Sequence, residues 1–197
     1  MKKTFKLIQN LLIAIICIVT VANFTTQVEA AYDFRLGFIY VDDYVSDETY
    51  YDLVDRYCLI PQNMREHFQL NGGKIYFTDE DLNQKFFNGK YSGVCGVYSY
   101  ETETVWISND EYGKDAMVHE LGHYLDQAYN YISDTQEVVD MYYAESAAIS
   151  AYATVNNHEF FAEAFSLYVY DGPRLASDAP RTYELINRLV TSLKGVE

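Results

Sequence analysis

An α+β fold is predicted by where the two periodicities fall along the chain. Strand-like runs occur only before Gly113, and four helix-periodic segments follow it. Residues 31–197 are also long enough for one domain with a sizeable core. No repeat, low-complexity stretch or linker announces a second domain.

Taken in order, residues 35–41 make a first strand. Residues 46–57 follow with Tyr50, Leu53, Val54 and Tyr57 at helical spacing behind a Ser or Asp cap. Pro61 ends that helix or begins a short one running to about Phe68. Asn71-Gly72-Gly73 signals a turn before a strand at 74–77, and 79–87 forms a short helix. Residues 93–100 and 104–108, separated by a few polar residues, read as a β-hairpin. The helical half comprises 114–129, 133–152, 159–170 and 180–194. Pro180 behind Ser177-Asp178 marks the start of the last.

Residues 1–30 read as a secretory signal peptide rather than part of the fold. Lys2, Lys3 and Lys6 precede an apolar run at 11–22, and Val28-Glu29-Ala30 places small residues before a cleavage at Ala31. The competing reading, a retained membrane anchor, needs about 20 apolar residues, and this run falls short. The expectation is a secreted, extracellular monomer with no stable membrane association once the leader is removed.

The chain carries a formal charge of −15, and loss of the leader makes it −17, from 11 basic and 28 acidic residues. That surface lacks the basic footprint that nucleic acid requires and excludes it as a partner. The acidity is compatible with a basic substrate, although extracellular solubility accounts for it equally simply. The two cysteines beyond the leader, Cys58 and Cys95, admit either one disulfide or two free thiols. The 20 tyrosines are expected mostly at the core margin, with apolar rings buried and hydroxyls wet.

His119-Glu120-Leu121-Gly122-His123 is the strongest local signal. Histidines four apart on a helix project from one face, so both imidazoles can bind a single zinc ion. The adjacent Glu120 can take a proton from water there. Met117, Val118, Leu121 and Leu125 give the same helix a buried side. Chance placement yields this pentapeptide in only about 0.5% of chains of such composition. A catalytic zinc needs a third protein ligand. The offsets that hold Gly and His in one extended form of the motif hold Asp126 and Tyr129 here, so that form is excluded. His67 and His158 are the other histidines, and Glu137, Glu145, Glu159 and Glu163 are the glutamate candidates. Glu159 and Glu163 stand four apart on an otherwise apolar helix, where carboxylates need a metal or a charged partner. The competing reading is an exposed polar stripe.

Residues 152–165, with Glu159 seven positions after Tyr152, resemble the catalytic domain of anthrax lethal factor. They also resemble the small secreted Pro-Pro endopeptidases of the same zincin fold. Asp126 three residues after His123, and the proline-led helix opening Ala179-Pro180-Arg181-Thr182-Tyr183, extend the likeness. It is good from about Gly113 to the C-terminus and rests on element order alone from Ala31 to Asp110. The resemblance implies a zincin-like metallopeptidase domain over residues 31–197, with a small mixed sheet whose edge strand lies above the cleft. It implies one zinc ion per chain, held by His119, His123 and Glu159. Glu120 is then general base, Tyr152 donor to the oxyanion, and Glu163 the group orienting a ligand histidine.

Extended peptide substrate would pair with the edge strand, to which residues 104–108 are assigned. Trp106 is assigned to the core or the cleft side, and Tyr91 sits where the Pro-Pro enzymes have a substrate-contacting tryptophan. That substitution, and the lack of their Pro/Gly loop between Cys95 and Thr104, are departures from the Pro-Pro pattern. The expected function is a secreted zinc endopeptidase. The alternatives are a non-catalytic zinc-containing binding module on the same fold and a toxin component acting on basic targets.

Overall fold

The computed structural model describes residues 37–41 and 46–193, so the signal-peptide reading of residues 1–30 lies outside the described residues. The chain divides after Gly37, and every element below belongs to the second unit. These elements are β1 (Ile39–Val41), α1 (Asp47–Leu59), α2 (Gln62–Leu70), β2 (Lys74–Thr78), α3 (Leu82–Phe87), β3 (Gly96–Ser99) and β4 (Thr104–Ser108). Four longer helices follow: α4 (Glu111–Ala128), α5 (Gln136–Ile149), α6 (Asn157–Asp178) and α7 (Pro180–Ser192). Short 3₁₀ turns at Ile132–Asp134 and Tyr152–Thr154 flank α5. The mixed α+β organisation expected from the sequence is what the chain forms.

The four strands make one sheet in the order β1-β2-β4-β3, with β1/β2 and β2/β4 parallel and β3/β4 antiparallel. The predicted hairpin is therefore present, but its strands exchange roles. Thr104–Ser108 is interior, and Gly96–Ser99 is an edge strand, at the opposite side of the sheet from β1. The physical reason is burial on one face: Val105 and Ile107 pair in register with Ile75 and Phe77, and all four are at most 1% exposed. A strand so apolar belongs between neighbours. Strand Gly96–Ser99 is short, opens on a glycine and buries only Tyr98 fully, which suits an edge.

The opposite face of the sheet carries Tyr40, Tyr76 and Trp106, which pair across three strands and stack at 4.7 and 4.2 Å with planes 13° apart. Phe86 meets Trp106 edge-on, and the Lys85 ammonium sits 4.0 Å from its ring centroid. Trp106 thus lies neither in the core nor beside the cleft. Strand alternation sends it to the outer face, where an aromatic ladder half-buries it.

Helix α4 packs against β3 and β4, and its Met117, Val118, Leu121 and Leu125 are each at most 1% exposed. Burying side chains of this size contributes about 1.5–3 kcal/mol each. Asp110 caps α4 by accepting a hydrogen bond from the Gly113 N–H at 2.7 Å. On its other side α4 crosses α6 very closely. A β-carbon at Gly122 would lie 2.7 Å from Ala162 Cα and 3.0 Å from its carbonyl oxygen. Only glycine lets these two backbones approach so far.

Helix α6 runs beyond the predicted end at Tyr170. A break at Asp171 (φ −150°, ψ 64°) precedes Gly172 and Pro173, and a second helical piece continues to Asp178. The break falls where the sequence pattern ended. Helix α7 begins at Pro180 as expected, and buried Glu145 accepts hydrogen bonds from the Thr182 N–H at 3.0 Å and hydroxyl at 2.5 Å. Cys58 and Cys95 are free thiols, which decides the cysteine alternative against a disulfide. No helix among the described residues is long and apolar enough to cross a membrane.

Candidate metal centre

The close α4–α6 crossing brings His119 and His123 to Glu159. Glu159 stands in the first turn of α6, behind Asn156, whose side-chain oxygen accepts from the His158 and Glu159 N–H groups at 2.9 Å each. His119 Nε2 is 3.0 Å from Glu159 Oε2, and His123 Nε2 is 3.6 Å from the same oxygen. One donor atom from each of the three residues lies within 4.8 Å of the others, a spacing that one metal ion can span. On the far side of the ring, His119 Nδ1 donates to Glu163 Oε1 at 2.8 Å. The other Glu163 oxygen accepts from the Ser150 hydroxyl at 2.6 Å. This fixes the tautomer that leaves His119 Nε2 free to bind a cation. Two neutral imidazoles and a carboxylate suit zinc, so the donor set fits the metal the pentapeptide implies.

The electrostatics agree with a cation-binding role. Burial opposes a charge on His119, but hydrogen bonds to Glu159 and Glu163 outweigh it and lift its pKa to about 10 without metal. Burial would raise Glu159, yet hydrogen bonds from His119 and His123 hold its carboxyl well below the usual range. Glu163 is lowered in the same way, through His119 and Ser150 against its desolvation. A bound metal would replace the proton that these groups otherwise keep on His119.

Glu120 is 7% exposed, and burial pushes its pKa up against the pull of His119 and His123. Strand β3 approaches it so closely that a β-carbon at Gly96 would lie 2.6 Å from Glu120 Oε1. Tyr152 projects from the turn before α6, with its ring 5.7 Å from that of His119. Desolvation, then Glu159, Glu120 and Glu163, push its hydroxyl up to about 12, so it remains a proton donor.

A cleft of about 1380 Å³ opens over this cluster. His119, Glu120, His123, Tyr152, Glu159 and Glu163 line it, joined by edge strand β3 and by Tyr91 from the preceding lip. Trp106 does not line it. The other ligand candidates have separate partners: Glu145 caps α7, Glu137 lies 3.6 Å from Arg188, and His67 Nδ1 is 2.8 Å from the Tyr124 hydroxyl. His158 lines the cleft, but its ring nitrogens face Ser133, Asp126 and Asp134. Sequence reasoning passed over Gly96, Gly122, Ser133 and Asn156. Of these only Asn156, a helix cap four residues before the apolar run that begins at Phe160, left a local signal.

Fold and site together define an α+β protein with a His-Glu-x-x-His helix facing a glutamate on a second helix. The chain belongs to the family described as anthrax toxin lethal factor, N- and C-terminal domain, whose profile matches residues 37–189. Lethal factor of Bacillus anthracis is 25% identical over 111 residues, covering 47% of this chain and 14% of lethal factor. The chain therefore corresponds to a small part of that relative. A Pro-Pro endopeptidase from Paenibacillus alvei has a similar structure, with a TM-score of 0.64 at 20% identity. The likeness covers 79% of this chain and 99% of that one, and shows a shared fold.

Proposed function

We propose that this chain is a secreted, zinc-dependent endopeptidase of the zincin type. The observation that carries the reading is the convergence of His119, His123 and Glu159 donor atoms within 4.8 Å, with Glu120 beside them under an edge strand. Zinc held there would supply Lewis acidity to a water molecule and to the scissile carbonyl. Glu120 accepts the proton released by the attacking water and passes it to the leaving amine. Its buried carboxyl, raised by desolvation, suits both halves of that transfer. The Tyr152 hydroxyl, which keeps its proton, donates a hydrogen bond to the oxyanion forming on the substrate carbonyl. Glu163 holds His119 in the required tautomer. Extended peptide pairs with the free edge of β3, and Tyr91 contacts the side chains that follow the lip.

The reading includes removal of residues 1–30 as a leader, action on extracellular proteins and one zinc per chain. Its test compares residues 31–197 with Glu120→Gln on a peptide library that contains Pro-Pro sequences, with zinc content measured for both. Cuts by the unaltered protein alone, at equal zinc content, support the endopeptidase and reveal its scissile bond. A zinc-loaded protein that cuts nothing in the library, or equal cutting by both proteins, overturns it.

A further inference from the structure

Asp126 is the one carboxylate among the described residues with 0% exposure, and the mechanism above gives it no task. It sits on α4 three residues beyond His123. Its Oδ1 accepts the Ser133 N–H at 2.8 Å, and its Oδ2 accepts the Ser133 hydroxyl at 2.7 Å. Oδ2 also faces His158 Nδ1 at 3.3 Å, and that nitrogen is 2.8 Å from Ser133 Oγ. His158 immediately precedes Glu159. The other His158 nitrogen lies 3.2 Å from Asp134, and Asn157 donates to the Ser133 carbonyl at 2.9 Å and to Asp134 at 3.1 Å. Three consecutive residues, 156–158, are thus held by a cap or by the 133–134 turn just before the third donor.

The chain reaches this arrangement through an unfavourable backbone. Asn130 and Tyr131 both adopt left-handed φ, 55° and 58°, a conformation that side chains with a β-carbon resist. The Tyr131 N–H closes the turn on the Asp126 carbonyl at 2.9 Å. Such strain persists where surrounding contacts over-determine it, and the contacts here converge on Asp126.

We propose that the Asp126–Ser133–His158 clasp is a positioning device for Glu159. It fixes the rotation of the first turn of α6 against α4, so that the Glu159 carboxylate meets His119 and His123. The two helices are then joined by parallel connections, Asp126 to His158 and the histidine pair to Glu159. Glu163 steers a histidine, whereas this clasp steers the carboxylate. His158 acts through its neighbour and needs no contact with substrate.

This inference rests on the metal reading of the site, and the test keeps the two apart. Zinc affinity is measured by chelator competition, together with the visible spectrum of the cobalt-loaded protein, for the unaltered chain, His158→Ala, His158→Gln and Glu145→Gln. Removing a partner that orients a metal ligand typically weakens metal binding about 10–100-fold. Expected are a loss of about tenfold and an altered cobalt spectrum in His158→Ala, with most of both restored in His158→Gln, whose amide can still donate to Asp126. Glu145→Gln weakens the remote α7 cap and should leave zinc affinity and spectrum unchanged. Unaltered zinc affinity and cobalt spectrum in His158→Ala overturn the clasp. So does an equal loss in Glu145→Gln, which would reduce the effect to general destabilisation. If His158→Ala does not fold, Ser133→Ala decides, with weaker zinc binding supporting the clasp and unchanged binding overturning it. Failure of the unaltered chain to bind zinc would instead refute the metal reading itself.

Discussion

Replacing Gly122 with alanine puts a single methyl group into the crossing that assembles the site. Its carbon would lie 2.7 Å from Ala162 Cα, 3.0 Å from Ala162 O and 3.2 Å from Ala162 Cβ, against ordinary contacts that begin at 3.4 Å. Two of those neighbours are backbone, so no rotamer change relieves them, and the helices must part by about 0.7 Å. Overpacking of this kind costs about 1–3 kcal/mol. Alanine gains about 1 kcal/mol over glycine in a helix interior, which offsets part of it. The net loss is about 0–2 kcal/mol, or at most about 8 °C in Tm for a domain of this size. The functional effect should be larger than the thermal one. Glu159 is three residues from Ala162 on α6, and metal sites tolerate only about 0.2 Å of ligand displacement. Zinc affinity should fall about tenfold or more. Thermal melts and chelator competition measure both effects. Adding Ala162→Gly removes only the 3.2 Å contact, so it should rescue little. Full rescue, or Gly122→Ala with undiminished Tm and zinc affinity, would refute the backbone argument.

Three further outcomes follow from the same geometry. Glu163→Gln keeps the shape of the side chain but loses the charge that orients His119, and zinc affinity should drop about 10–100-fold by chelator competition. Gly96→Ala places a methyl carbon 2.6 Å from Glu120 Oε1, and kcat should fall about tenfold or more with zinc content unchanged. In the metal-free protein His119 is raised from 6.5 to about 10, so its contribution to stability is full below pH 6.5 and lost as pH rises toward 10. Glu159, lowered from 4.5, contributes above pH 4.5 and loses that contribution under stronger acid. Metal-free melts should therefore show this cluster stabilising most between 4.5 and 6.5, while zinc affinity rises with pH as the His119 proton becomes easier to displace.

The helical half was legible because each of its signals is local. His119 and His123 declare themselves by a spacing of four, Pro180 marks a helix start, and Glu159 and Glu163 stand out against an apolar background. The order of the hairpin strands is tertiary information. Which strand pairs with β2 depends on a crossover, although the unbroken Val105-Trp106-Ile107 run hinted at an interior position. Trp106 was misplaced with its strand, because core and cleft are the usual addresses of a tryptophan and an outer-face ladder depends on Tyr40 and Tyr76 being in register. The Gly122–Ala162 and Gly96–Glu120 approaches join segments far apart in sequence, and nothing local announces them.

The sheet and the donor helices are alike in how far along the chain their partners lie. His119 and its positioning carboxylate Glu163 are 44 residues apart, on helices joined through α5 and short turns. The sheet that presents β3 needs two parallel pairings, Ile39 with Ile75 and Ile75 with Val105, each closing a long loop. Both kinds of contact close loops of similar length, and loop-closure entropy grows only slowly with length, so neither has an entropic head start. The crossing that gathers His119, His123 and Glu159 and the sheet edge beside it are therefore expected to form in one cooperative step.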